Sequence, residues 1–412
     1  MTPVRIVRGR LARRALLVGA AAAALMPLAG NAETVIGVDA SVGGLAASNP
    51  YFLEGSNTES AAASLTLRPY ISVNEGPTTA IIDGSLNLEH FFDNNYGTDE
   101  SAQVGASLEH HVNERTTLTA GASYSSSESA ARHFYNGADL TNLQPGEFPD
   151  PGVIDPTLGN IDGRTSRLDV DFGLHQLVSS RSTLDLSAGA GLTRVESSMG
   201  ADYRDTRGRV AYTHQINERT SWVASIDLGY ADYFNRRVGD GLFTTVLVGV
   251  DHKFTESMYG SLKGGFSYST IEVLPSGTEN VTDWAATVDL CDMLASGTVC
   301  VTGSRSAGPT SLGGVTTVSS LGVSYARAIG RNGNASLGAS YSKSGMSNDS
   351  PVLLGRRDSE VANVTASYSH RIAERLSAFI TPSLTSRDDE FASKQENYQV
   401  QVGVTYHFGR TP

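Results

Sequence analysis

From Tyr398 to Phe408 every second residue is apolar or aromatic (Tyr398, Val400, Val402, Val404, Tyr406, Phe408), with Gln399, Gln401, Gly403, Thr405 and His407 between them. Period two makes such a segment a strand with one greasy face and one polar face. The pattern recurs at Ile36, Val38, Ala40, Val42; at Ala61, Ala63, Leu65, Leu67; at Ala80, Ile82, Leu86, Leu88; at Leu168, Val170, Phe172, Leu174; at Leu184, Leu186, Ala188, Ala190, Leu192; and at Val246, Val248, Val250. The runs span about 10 to 14 residues. Strands of soluble sheets average 5 to 6, whereas a tilted strand needs about 9 to 11 to cross a bilayer.

The connections alternate in length. Short turns fall at 74–77, 113–115, 179–182, 217–219, 255–257, 330–333 and 373–375, and longer polar segments lie between them. Tight turns on one side and extended loops on the other are the pattern of outer-membrane barrels. Seven turns and eight loops predict sixteen strands. The expected fold is therefore all-β, a transmembrane antiparallel up-and-down barrel of about 16 strands with short periplasmic turns and long external loops. An internal repeat marks the hairpins. His110-His111-Val112-Asn113-Glu114-Arg115, His214-Gln215-Ile216-Asn217-Glu218-Arg219, His252-Lys253-Phe254-Thr255-Glu256-Ser257 and His370-Arg371-Ile372-Ala373-Glu374-Arg375 share the form His-x-apolar-x-Glu-Arg/Ser.

Residues 1–32 read as a cleaved secretory signal, leaving 33–412 as a single barrel domain. Arg5, Arg8, Arg10, Arg13 and Arg14 form a positive region, Ala15 to Leu28 is apolar, and Gly30-Asn31-Ala32 ends in small residues. The residues flanking Arg13-Arg14 match a twin-arginine signal poorly, so Sec export is expected. The rest of the chain has no run near the roughly 18 apolar residues of a membrane helix. The formal charge of −12, with all five leader arginines still counted, argues against nucleic acid as a partner. With only four lysines, a polybasic patch for anionic membranes is absent too.

The four repeat histidines share the apolar parity, so they face lipid on separate hairpins and belong to an interfacial girdle rather than a metal or catalytic site. A lipid-modifying enzyme would need a Ser, Asp or Asn within reach of such a histidine, and strand pairing read from the sequence shows none. No enzymatic activity and no cofactor are expected. The inward parity is rich in Gly, Ser and Thr, including Gly105, Gly121, Gly189, Gly191 and Gly229. Small side chains in a wide barrel leave an aqueous lumen. Its predicted charges include Asp169, Asp171, Asp185, Asp227 and Asp251, opposed by Arg207, Arg209 and Lys263, with Asp83, Glu89, Arg68 and Arg167 on the same parity. They brace the wall or set a field that selects solutes. Arg207 and Arg209 are the candidates for facing a permeating anion or sugar.

Two long segments stand out. Residues 131–164 hold Pro145, Pro149, Pro151 and Pro156 with Phe134, Tyr135 and Phe148, and either fold inward as a constriction or shield the outer rim. The aspartates of this segment do not follow EF-hand spacing. Residues 274–310 hold Trp284, a candidate short helix and the only two cysteines, and read as a structured external cap. In an oxidising compartment, Cys291 and Cys300 are expected to form a local disulfide in that surface loop.

The signal, the alternating strands, the His-x-apolar-x-Glu-Arg turns and the final Val404-Thr405-Tyr406-His407-Phe408 together resemble the outer-membrane β-barrel porin 2 family. The resemblance implies that Tyr406 and Phe408 serve as the terminal signal read by the barrel-assembly machinery, here followed by Gly409-Arg410-Thr411-Pro412. It also implies a link with exopolysaccharide or surface-polymer secretion. Two function classes follow. One is a passive diffusion channel for small hydrophilic solutes. The other is a polymer-secretion port acting with periplasmic export proteins, or a non-conducting structural barrel. The expected setting is the lipid of the outer membrane, and the sequence leaves the oligomeric state open.

Overall fold

A computed structural model describes residues 33–53, 58–93, 96–128, 163–196, 200–234, 239–273, 277–294, 297–311, 314–345, 358–389 and 392–409. Residues 1–32, read above as a secretory signal, and most of 131–164 lie outside the described residues. The strands are β1 (Glu33–Ala47), β2 (Ser60–Glu75), β3 (Thr78–Phe91), β4 (Thr98–Asn113), β5 (Thr116–Ser127), β6 (Thr165–Ser179), β7 (Ser182–Val195), β8 (Tyr203–Asn217) and β9 (Thr220–Tyr233). They continue with β10 (Gly241–Lys253), β11 (Met258–Val273), β12 (Gly277–Leu294), β13 (Gly297–Pro309), β14 (Val315–Ile329), β15 (Gly333–Gly345), β16 (Ser359–Ala373), β17 (Leu376–Asp389) and β18 (Ala392–Gly409). Each pairs antiparallel with the next, and β18 returns to β1 from Gly37↔Gly409 to Ala47↔Gln399. The sheet is a closed up-and-down barrel of 18 strands, with no edge strand at the seam.

The difference from sixteen strands lies in one place. Residues 274–310 are not an external cap with a helix. Their described part holds β12 and β13, paired antiparallel from Leu294↔Gly297 to Ala286↔Arg305. Cys291 and Cys300 are directly opposed in this hairpin and are bonded, so the disulfide belongs to the barrel wall and not to a surface loop. Tyr259 of β11 packs against it from the neighbouring strand. This hairpin lacks the His-x-apolar-x-Glu turn, and the outward parity of β12 starts with Thr278, Asn280 and Thr282, so its alternation is hard to see in the sequence.

The apolar parity faces outward as expected. Phe172, Val248, Leu262 and Val42 are each roughly 60% exposed, which in a water-soluble protein would be a large unpaid hydrophobic surface but in a bilayer is the lipid face. At one rim, connections are two to four residues long; at the other they vary from two to several tens. Gly76 (φ 54°) and Gly330 (φ 66°) supply the left-handed backbone that two of the tight turns require.

Local chemistry explains the turn repeat. The ladder shifts by one residue between His111 and Asn113, Gln215 and Asn217, and Arg371 and Ala373, so Val112, Ile216 and Ile372 are bulge residues thrown outward. In two of these turns the following Asn caps the backbone, with Arg115 N–H donating to Asn113 Oδ1 and Arg219 N–H to Asn217 Oδ1, both at 2.9 Å. Val178 is a fourth bulge of the same kind, without the histidine.

Two features shape the lumen at the loop rim. The β1–β2 connection is tied by Asn49, whose Oδ1 accepts from Leu53 N–H and whose Nδ2 donates to Leu53 O, both at 2.9 Å. The β13–β14 hairpin folds inward. Val315 at its end packs with Phe243 of β10 and Ile271 of β11. Its tip reaches further, where the Tyr233 hydroxyl of β9 donates to the carbonyls of Thr310 and Gly314 at 3.1 and 2.7 Å, and Ala201 N–H donates to Ser311 O at 2.9 Å.

Candidate functional site in the barrel lumen

A cavity of about 1160 Å³ opens inside the barrel, walled by β3 to β10 and roofed by the folded-in β13–β14 hairpin. Ser85, Asn87, Ser101, Gln103 and Ser125 make one wall, and the charged residues of β6, β8 and β9 make the other. The period-two rule puts these side chains inside: Arg167, Asp169 and Asp171 alternate along β6, and Tyr203, Asp205, Arg207 and Arg209 along β8. Glycines on the intervening β7, at Gly189 and Gly191, leave space for the two charged strands to meet across it. A Cβ at Gly191 would come within 2.5 to 3.0 Å of Asp205, Arg167 and Asp169.

The charges form a ladder. Arg167 grips Asp169 with two parallel bonds, Nε to Oδ2 at 2.7 Å and Nη2 to Oδ1 at 2.6 Å, and its Nη1 donates to Thr193 Oγ1 at 2.8 Å. Arg207 Nη2 donates to the same Asp169 Oδ1 at 2.7 Å. Asp205, only 1% exposed, sits 2.9 Å from Arg207 Nε and 3.2 Å from Arg167 Nη2, held by charge proximity without an aligned donor among the described residues. Arg209 is looser, 3.6 Å from Asp227. Bidentate pairing of this kind fixes geometry as well as charge.

The structure thus brings Arg207, Arg209, Asp169, Asp171 and Asp227 to one cavity. Asp185, Asp251 and Lys263 share the inner face but lie nearer the short-turn rim, where Asp185 is bonded to His175 Nδ1 at 2.5 Å. Arg207 and Arg209 do not act as a matched pair, because Arg207 is neutralised by two aspartates while Arg209 keeps one long contact. Asp205 was missed in the sequence, although its parity with Arg207 signals it; the anchoring by Tyr233 had no local signal. Asp83, Asp171, Asp251 and Asp289 have no Arg or Lys ion-pair partner among the described residues. At the loop rim, outside the spanning strands, burial pushes the Glu128 carboxyl up, opposed by Arg164 and reinforced by Asp99 and Glu100.

The repeat histidines face outward near the short-turn rim, but they are not without neighbours. Thr78 Oγ1 lies 2.8 Å from His110 Nδ1, Ser182 Oγ 2.9 Å from His214 Nδ1 and Thr220 Oγ1 3.0 Å from His252 Nδ1. The sequence showed no hydroxyl within reach because the cross-strand register was not yet defined. The same pairing occurs on three hairpins, and no carboxylate is bonded to these rings among the described residues. It is a repeated anchor for an amphipathic ring, with the polar edge satisfied and the ring free to lie at a headgroup. Tyr406 and Phe408 also face outward, with ring centroids 4.5 Å apart.

No protein-family model matches the chain, including that of the β-barrel porin 2 family it resembles, and no curated protein sequence matches it. Among solved structures, the FrpB iron transporter of Neisseria meningitidis (F3-3 variant) is similar at 9% identity and a TM-score of 0.46, over 91% of this chain and 82% of that one. OccK2 (OpdF) of Pseudomonas aeruginosa, solved in complex with glucuronate, gives 9% and 0.46 over 92% and 99%. OpdL of the same organism gives 11% and 0.45 over 92% and 99%. At these scores the likeness carries nothing about function, which rests on the chain's own lumen.

Proposed function

We propose that the protein is an outer-membrane channel for passive diffusion of small hydrophilic solutes, weakly preferring cations. The observation that supports this reading is the division of the wall: an apolar outer face, and an inner face of Ser, Thr, Gly and charged side chains around an open cavity. Eighteen strands enclose more than side chains alone can fill. The cation preference follows from Asp83, Asp171 and Asp251, which have no Arg or Lys ion-pair partner among the described residues, while two of the three cavity arginines are neutralised by Asp169 and Asp205. Outer-membrane location and Sec export are part of the same proposal. So are kinship with the β-barrel porin 2 family and recognition of Tyr406 and Phe408 by the assembly machinery.

The test is conductance of the purified full-length protein in a planar bilayer. Discrete open steps with a reversal potential displaced towards the cation in a potassium chloride gradient are expected. A protein that never opens sinks the channel reading. Loss of surface polymer on deletion of the gene, without conductance, would favour the secretion port with periplasmic partners.

A further inference from the structure

The wall parts between β12 and β13. Their ladder runs from Leu294↔Gly297 to Ala286↔Arg305 and stops, although β12 continues up to Gly277 on β11, and β13 up to Pro309 on β14. Above that point β13 follows the inward hairpin towards β10 and β11, and β12 stays in the wall. In hydrocarbon no water replaces lost ladder bonds, so an open strand edge is tolerated only where something else satisfies it. Side chains do so here for one donor on each edge. Trp284 N–H donates to Asp283 Oδ1 at 2.8 Å, and Ala307 N–H donates to Ser267 Oγ at 3.4 Å.

The foot of the parting is polar and fixed. Arg305 donates through Nη2 to Asp283 Oδ2 at 2.6 Å and through Nη1 to Ser319 Oγ at 2.7 Å, and its guanidinium lies 4.6 Å from the Trp284 ring centroid. Thr317 Oγ1 donates to the same Asp283 oxygen at 3.0 Å. Arg305 Nε is buried without a hydrogen-bond partner among the described residues. On the outside, Trp284, Phe266 and Leu321 are 60%, 52% and 49% exposed. On the inside, the lumen cavity extends to Thr287, Ser304, Ser306 and Gly308 along the same edge.

We propose that this parting is a lateral port between the lumen and the loop-side leaflet, and that it takes an acyl amphiphile. The tail lies along Trp284 and Phe266 in the bilayer. The acidic or hydroxylated head lies beside the quarter-exposed guanidinium of Arg305 and meets the hydroxyl-lined edge of the cavity. A simple diffusion channel needs an axial path and has no use for a break in its wall. An added peptide strand fits poorly, because the β13 edge is folded away and Trp284 N–H and Ala307 N–H already have side-chain acceptors.

The chain's two tryptophans make the test direct. Trp222, facing outward near the other rim, is the control for partition into the bilayer. In phosphatidylcholine nanodiscs, a fatty acid brominated at its tail should quench Trp284 saturably in Trp222→Phe, whereas Trp222 in Trp284→Phe should be quenched only linearly with dose. Bridging Ala285→Cys to Ser306→Cys, the next pair the ladder would have formed, with a short thiol crosslinker in the Trp222→Phe protein should abolish the saturable component. Filling the parting by Ala307→Phe should do the same without a crosslink. Linear quenching at both tryptophans, or saturable quenching that survives bridging and filling, overturns the port. Conductance of the same preparations keeps the two proposals apart: a closed protein that still shows saturable Trp284 quenching would refute the channel and leave the port.

Discussion

Arg207 and Arg209 stand two residues apart on one face of β8, yet the lumen uses them differently. Arg207 is enclosed by Asp169 and Asp205, so Arg207→Ala would leave a nearly fully buried Asp205 with only Arg167 nearby. Removing one partner of a buried pair costs about 3 to 5 kcal/mol, and here less because Arg167 remains. Arg207→Ala should therefore lower the temperature at which the folded band disappears on a detergent gel. Arg209→Ala should leave that temperature nearly unchanged and shift the reversal potential further towards the cation. Equal shifts in both readouts for both variants would contradict this division. Glu128 gives a pH-dependent case. Burial raises its folded pKa above the ordinary 4.5, so the ionised form costs stability above the folded pKa, and the cost fades as pH falls below the ordinary value. Because the Glu128 side chain is 47% exposed and lies 3.8 Å from Arg164, Glu128→Gln should raise the unfolding temperature at pH 7 only slightly, and the gain should vanish near pH 3.

At the scale of the strand and hairpin, depth in the bilayer decides what a substitution costs. Val248, mid-strand on β10, and Ile216, the bulge residue beside a turn, are both more than half exposed. An arginine costs about 2 to 4 kcal/mol at the midplane and about 0 to 1 near an interface. Val248→Arg should thus lower the midpoint of reversible unfolding in urea with vesicles, and Ile216→Arg should scarcely move it. The Cys291–Cys300 bond closes a short loop within one hairpin, worth about 2 to 3 kcal/mol in the chain-entropy account. Cys291→Ser with Cys300→Ser should lower the same midpoint by no more than that, because the ladder around the pair persists. The turns that carry His-x-apolar-x-Glu were legible because bulge, cap and girdle ring each have a residue type. The β12–β13 hairpin was not, because its turn lacks the motif and its outward face bears Arg305 and a polar upper half.

For the whole molecule, closure is the governing fact. β1 and β18 meet through eleven paired positions, and Asp39 binds His407 Nδ1 across that seam at 2.6 Å. The width of the passage depends on contacts between distant strands, above all Tyr233 holding the β13–β14 tip. Tyr233→Phe removes the hydroxyl bonds to Thr310 and Gly314, so it should increase single-channel conductance or open-state noise. An unchanged trace would show that the tip does not narrow the path. Alternation by itself determined that the chain makes long strands with one lipid face and which side chains look inward, since period two is a local property of the backbone, and the alternating lengths of the connections pointed to a barrel. It could not determine which inward charges meet, where the ladder stops or which hairpin folds into the lumen. Those outcomes depend on register and on contacts between residues far apart in sequence, and only the closed tertiary structure brings Arg167 to Asp205, Tyr233 to Gly314 and Arg305 to Asp283.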